Sequence, residues 1–239
     1  LMMSRLVCLP GLLCTAEAYA DVLRGIDVPA DVMELPDSDN FQGIASDIAA
    51  ALPDRAILVG MSMGSYLCLE IARREPDRVA GMVLIGCTAE ADSEQSAAKR
   101  GKVVKWARRE GLDALSDTIC AGMLSPQNRA KAPLRQKIAR MAHAQGLEIF
   151  QRHQAALAGR PDNTAALSEI TCPALVITGA DDTVTPPHAG RDLAEGLANG
   201  RFVEIENAGH LVVLERPDVV AAQLNLFIGH DMKKETLAE

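Results

Sequence analysis

Four nearly continuous apolar runs, Leu6–Leu9, Ala56–Val59, Gly81–Gly86 and Ala174–Ile177, each lead into a glycine-containing turn. A strand with one wet face alternates apolar and polar residues, and these runs do not. Both of their faces must be covered, which points to a parallel sheet with helices on either side. Shorter strands are expected around Val32–Leu35 and over Arg201–Glu206, giving about six in all. Helical stripes fall between them. Ala16–Leu23 is one, and Ile44, Ile48 and Leu52 repeat every four residues until Pro53 stops the helix. Leu67 and Ile71 share a face after the second apolar run, and Val219, Leu224 and Phe227 mark a last helix.

The alternation breaks between Glu90 and Ser168, where the sequence shows helical stripes and no strand. Val103, Trp106 and Glu110 mark the first stripe, and Leu112, Leu115, Ile119 and Met123 the second. Leu134, Ile138 and Met141 mark a third, with Leu147, Phe150 and Leu157 a fourth. The pattern predicts an all-helical insertion over residues 89–170 between a first core part, 1–88, and a second, 171–239. The polar tail after Gly229 is expected to fray.

A formal charge of −8 gives no reason to expect a nucleic-acid or anionic-membrane partner. The six cysteines, at 8, 14, 68, 87, 120 and 172, form no CxxC pair and sit within strand and helix patterns. They read as thiols, most of them buried, in a reducing compartment. No basic segment followed by an apolar run and a cleavage site opens the chain, and no run is long enough to span a bilayer. A cytoplasmic location is therefore expected. Monomer and homodimer both remain open.

Chemistry concentrates at the ends of the predicted strands. Gly60-Met61-Ser62-Met63-Gly64 follows the second apolar run directly. Small residues on either side let a strand turn sharply into a helix, leaving the Ser62 hydroxyl exposed in a strained conformation above the helix N-terminus. Asp181 and Asp182 follow the fourth run, and His210 follows the Arg201–Glu206 strand. Taken singly, an Asp in such a loop is ordinarily a cap and a Gly-His pair ordinarily a surface contact. Taken together, Ser, Asp and His stand after strands of one parallel sheet, where α/β proteins place ligand sites. An imidazole near neutrality can take the proton from a serine hydroxyl, and a carboxylate can fix the imidazole's tautomer. An oxyanion beside Ser62 would meet the backbone N–H of Met63. The second donor is expected from Leu12, because Pro10 has no N–H.

These residues resemble the α/β-hydrolase family, in particular its cap-bearing bacterial esterases and lactonases, over nearly the whole chain. Ser62-Met63-Gly64-Ser65-Tyr66, Arg78-Val79-Ala80, Ala158–Asp162, Ile170–Pro173 and Gly209-His210-Leu211 with Leu214–Pro217 carry the likeness. In that family the acid stands three residues after the loop glycine and four before the proline, which selects Asp182 over Asp181. The resemblance implies an α/β-hydrolase fold that begins at the family's third strand, without the N-terminal antiparallel pair. Two features differ from the family pattern. Pro10-Gly11 replaces a frequent His-Gly, and Leu35–Asn40 replaces a Gly-x-Gly-x-Ser loop.

The expected activity is hydrolysis of a small, largely apolar carboxylic ester or lactone through an acyl-enzyme, with no cofactor and no metal. Perhydrolase or haloperoxidase chemistry would be a side activity. The alternatives are carbon–carbon bond hydrolysis by the same three residues and noncatalytic ligand binding on the same scaffold. The helical insertion would act as a lid over the site. Met61, Met123, Phe150, His153 and Leu211 are the expected pocket lining, with ordinary core packing an equal reading for Met123 and Phe150.

Overall fold

In the computed structural model of the chain, which describes residues 5–232, the apolar runs form the middle of one sheet. Its strands are β1 (Arg5–Leu9), β2 (Ala30–Val32), β3 (Ala56–Met61), β4 (Val79–Ile85), β5 (Ala174–Gly179) and β6 (Gly200–Ile205). They lie in the order β2-β1-β3-β4-β5-β6, and every neighbouring pair is parallel. β2 is shorter and earlier than the sequence pattern suggests. Met33 still donates to the Cys8 carbonyl, at 3.0 Å. Beyond it, the Glu34 carboxylate turns to accept from the Ala16 N–H, and Pro36 has no N–H for a further rung.

Period-two alternation sends successive side chains to opposite faces. Val7, Leu9, Leu58, Met82, Leu84 and Val176 face one core with α2 (Phe41–Ala51), α3 (Met63–Arg74) and α7 (Pro187–Gly196). Leu6, Cys8, Val59, Val83, Ile85 and Ile177 face the other. There they meet α1 (Ala20–Leu23), α8 (Val212–Glu215) and α9 (Pro217–Leu226). Each such aliphatic side chain contributes roughly 2 kcal/mol when fully buried. Several helices start where the sequence supplies a cap or a first-turn proline. The Asn40 side chain accepts from Gly43 N–H to open α2, and Pro217 occupies the first turn of α9, where a missing N–H costs nothing. Tyr19, wholly buried, points its hydroxyl at the Leu9 and Val59 carbonyls, 3.0 and 3.3 Å away, and so ties the ends of β1 and β3 together.

The helical cap inserts between β4 and β5 as α4 (Glu94–Glu110), α5 (Leu112–Met123) and α6 (Ala132–Ala158). Gly146, at φ 79° and ψ 167°, kinks α6 into two segments, which accounts for the four stripes in the sequence. Leu13, Ala107, Leu115, Ala142 and Phe150 form a small core beneath the cap. The cap leaves and rejoins the sheet domain at one place. Asn163 N–H donates to the Ala89 carbonyl and Ala91 N–H to the Asp162 carboxylate. Arg160 pairs with buried Asp92, and its guanidinium lies 4.5 Å above the Tyr66 ring.

No helix among the described residues is long and apolar enough to cross a membrane. Phe227–Asp231 continues α9 as a π-helical turn, and the remainder of the tail expected to fray, from residue 233, lies outside the described residues.

Candidate active site

Ser62 sits between β3 and α3 at φ 52° and ψ −117°, a region that non-glycine residues seldom occupy. Its N–H donates to the Ile85 carbonyl at the end of β4, and its own carbonyl accepts from Ser65 and Tyr66. The strained turn is therefore bonded on both sides. It also depends on Gly64, because a Cβ there would stand 2.2 Å from the Leu9 carbonyl oxygen and 2.7 Å from that of Pro10. Both obstacles are backbone, so neither can swing away. Helix propensity alone favours alanine by about 1 kcal/mol, which is smaller than the cost of moving α3 off β1. Gly64→Ala is expected to lower the unfolding free energy by about 4 kcal/mol. A urea-denaturation loss below about 1 kcal/mol would show that the helix can shift freely.

Three loops at the C-terminal edge of the sheet bring Ser62, Asp182 and His210 together. The Ser62 hydroxyl lies 2.9 Å from His210 Nε2, and His210 Nδ1 lies 2.8 Å from Asp182 Oδ2. Asp182 and His210 are 3% and 2% exposed, so their hydrogen bond is shielded from water, while Ser62 at the other end is half-buried. Asp181, by contrast, is exposed, and its N–H donates to the Ala208 carbonyl. Asp182 Oδ1 accepts from the N–H groups of Val184 and Thr185, at 2.8 and 2.9 Å. The Thr185 hydroxyl donates to Oδ2 at 2.9 Å and stands 3.3 Å from His210 Nδ1. Burial pushes the Asp182 carboxyl up. The hydrogen bond and charge of His210, with the Thr185 N–H and hydroxyl, outweigh it and leave the group below the ordinary carboxylate range. An ionised Asp182 fixes the imidazole proton on Nδ1 and leaves Nε2 free to accept from Ser62.

Met63 opens α3, where the first N–H groups of a helix have no intrahelical acceptor. Leu12 lies in a turn closed by the Cys14 N–H to Gly11 carbonyl bond, with Leu13 at φ 58°. That turn abuts the elbow: an added Cβ at Gly11 would lie 3.3 Å from Ser62 Cβ. Among the described residues, neither the Met63 nor the Leu12 N–H donates to a protein acceptor.

The expected lining residues are dispersed. Met123 and Leu211 border His210, whose N–H donates to the Met123 carbonyl at 2.7 Å. Met61 is fully buried in the sheet core, and Phe150 packs in the cap core with Leu13. His153 is 2% exposed and binds the Pro36 carbonyl at 2.8 Å, beside an Arg152–Asp37 ion pair. Together these two contacts fasten α6 to the loop after β2. Burial lowers the His153 pKa despite the Pro36 carbonyl and Asp37. Thr185 is a residue that sequence reasoning missed. Its position three residues after Asp182 is the signal that could have found it, since Asp and Thr at that spacing close a turn through their side chains.

The family model described as the alpha/beta hydrolase family matches residues 6–223. BpoC of Mycobacterium tuberculosis, provisionally named a non-heme bromoperoxidase, is 31% identical over 208 residues, covering 78% of this chain and 74% of its own. A pimeloyl-(acyl-carrier protein) methyl ester esterase of Aromatoleum aromaticum is 30% identical over 187 residues, covering 70% and 71%. Among solved structures, a thermophilic esterase from Thermogutta terrifontis superposes with a TM-score of 0.85 at 24% identity, over 95% of this chain and 89% of that one.

Proposed function

The chain belongs to the alpha/beta hydrolase family, and from that premise we propose that it hydrolyses a small, largely apolar carboxylic ester or lactone with Ser62 as nucleophile. The observation that carries the reading is the continuous hydrogen-bonded path from Ser62 Oγ through His210 to Asp182. The esterase of Aromatoleum aromaticum adds support from a relative that cleaves an ester.

In this reading His210 Nε2 takes the hydroxyl proton as Ser62 Oγ attacks the carbonyl carbon. Negative charge collects on the carbonyl oxygen and meets the N–H groups of Met63 and Leu12. Each such donor lowers the barrier by roughly 3 kcal/mol. Collapse expels the alkoxide, which takes the proton back from His210. Water then enters and attacks the acyl carbon as it gives a proton to His210, and Ser62 Oγ takes that proton back as the acid leaves. A lactone follows the same steps and leaves as one hydroxy acid. Met123 and Leu211 wall the pocket beside the base, while Met61 packs in the sheet core, Phe150 in the cap core and His153 against the loop after β2. The cap over residues 89–170 excludes bulk water from the intermediate.

A fluorophosphonate probe followed by peptide mass spectrometry tests the assignment. One equivalent of label on the peptide containing Ser62, blocked by prior incubation with an aryl ester, is the expected result. Label on another residue while ester turnover persists would remove Ser62 from the mechanism. Aryl esters of graded acyl length then measure the pocket, and the length at which rates fall marks its depth.

A further inference from the structure

Resting on the proposed roles of Ser62 and His210, we propose that Glu215 is a positioning residue that sets His210 by clamping its loop to the cap. Glu215 closes α8, five residues beyond His210 and outside the path from Ser62 to Asp182. Its carboxylate is filled by three donors. Oε1 accepts from Gly209 N–H at 2.8 Å, and Oε2 accepts from Ser125 N–H and from the Asn128 side-chain amide, each at 2.8 Å. One donor belongs to the residue next to His210, and the other two belong to the cap segment between α5 and α6.

The same two segments meet again on either side of the carboxylate. His210 N–H donates to the Met123 carbonyl at 2.7 Å, and the Asn207 carbonyl accepts from the Asn128 amide at 3.2 Å. Asn207 itself is held at φ 58°. Space is closed as well. A Cβ at Gly209 would lie 2.5 Å from the Met123 carbonyl oxygen and 2.8 Å from Ser125 N. The backbone entering His210 is therefore fixed by the cap, with Glu215 as the shared acceptor. Loss of this acceptor leaves the Gly209 and Ser125 N–H groups unsatisfied, leaves the Asn128 amide to Ser125 Oγ and the Asn207 carbonyl, and lets the imidazole drift from Ser62 and Asp182. A displacement near 1 Å costs about 100-fold in rate where reacting atoms must be aligned.

Glu215→Gln separates this role from simple packing. It keeps the shape but offers one acceptor oxygen, so an amide NH₂ must face at least one of the three N–H donors. Rates are normalised to the sites labelled by fluorophosphonate, which removes unfolded protein from the count. The expected result is kcat for a short aryl ester lowered about 30-fold, with KM within twofold. Arg152→Ala is the comparison. It loosens the cap at its opposite edge, at Asp37, and is expected to move KM while leaving kcat within twofold. If both variants change kcat and KM alike, or if Glu215→Gln keeps kcat within threefold, the positioning role is overturned. Should Glu215→Gln not fold, Asn128→Ala decides: a kcat loss of about fivefold at constant KM supports the clamp, and an unchanged kcat overturns it. If wild type fails to label at Ser62, the functional reading has failed. If wild type labels and Glu215→Gln retains its kcat, only the role of Glu215 has failed.

Discussion

Ser62→Ala is expected to lower kcat for an aryl ester by a factor on the order of 10⁵ to 10⁶, to a rate still above that in water. The change removes the attacking oxygen and nothing else that the reaction uses. The N–H groups of Met63 and Leu12 and the cap remain, and together such groups sustain a residual acceleration of roughly 10³. Stability should hardly change. Ser62 Oγ has His210 Nε2 as its one hydrogen-bond partner among the described residues, at 2.9 Å, and alanine keeps a Cβ at the same φ of 52°. Initial rates and thermal melts on identically prepared proteins check both halves. Activity within tenfold of wild type in a folded Ser62→Ala protein would refute the nucleophile assignment. A large loss accompanied by a collapsed melt would say that the elbow, not the hydroxyl, had been damaged.

Asp182→Asn is expected to lower kcat by about 10⁴ with little change in KM. Four donors converge on the carboxylate: the N–H groups of Val184 and Thr185 on Oδ1, and Thr185 O–H and His210 Nδ1–H on Oδ2. Asparagine has one acceptor oxygen. If that oxygen stays with the two backbone N–H groups, the amide NH₂ faces His210 Nδ1 and donates to it. The imidazole proton must then sit on Nε2, where it points at Ser62 and cannot accept the hydroxyl proton. The structure thus survives while the base is in the wrong tautomer. Steady-state kinetics with a ring-nitrogen NMR assignment of the tautomer would test this. A variant that keeps Nδ1–H and more than a tenth of the wild-type kcat would contradict it.

The parts of this site that could be read in the sequence share a physical reason. β3, β4 and β5 are buried along their whole length. Apart from Thr178, their residues are therefore apolar, and the turn that ends each one stands out. Ser62 follows the end of β3 and Asp182 the end of β5, whereas His210 follows β6. β6 was legible despite its half-exposed residues because Phe202, Val203 and Ile205 punctuate a polar run. β2 was displaced in the reading because Met33 and Leu35 look like strand residues, whereas Pro36 and the Glu34 contact with Ala16 draw the chain off the sheet. Glu215 stood within the family-like stretch Leu214–Pro217, but nothing local gave it a role. Its cap partners are 87 and 90 residues away in sequence, and only the folded chain brings those donors to one carboxylate. The φ of 58° at Leu13 was equally hidden, since leucine is not a residue that advertises a left-handed turn.

The single crossing where the cap departs and returns has an evolutionary consequence. With Ala89 bonded to Asn163 and Asp92 to Arg160, everything between is a detour whose ends already touch. Lengthening or shortening such a detour changes closure entropy only slowly, by roughly 0.6 kcal/mol for each doubling of length. Natural variation can therefore remodel the cap, and with it substrate choice, while the sheet and its chemistry are inherited unchanged. The exchange has one condition. A transplanted cap must arrive with a segment that can grip the carboxylate of Glu215, or the new enzyme will bind its substrate with the base out of place.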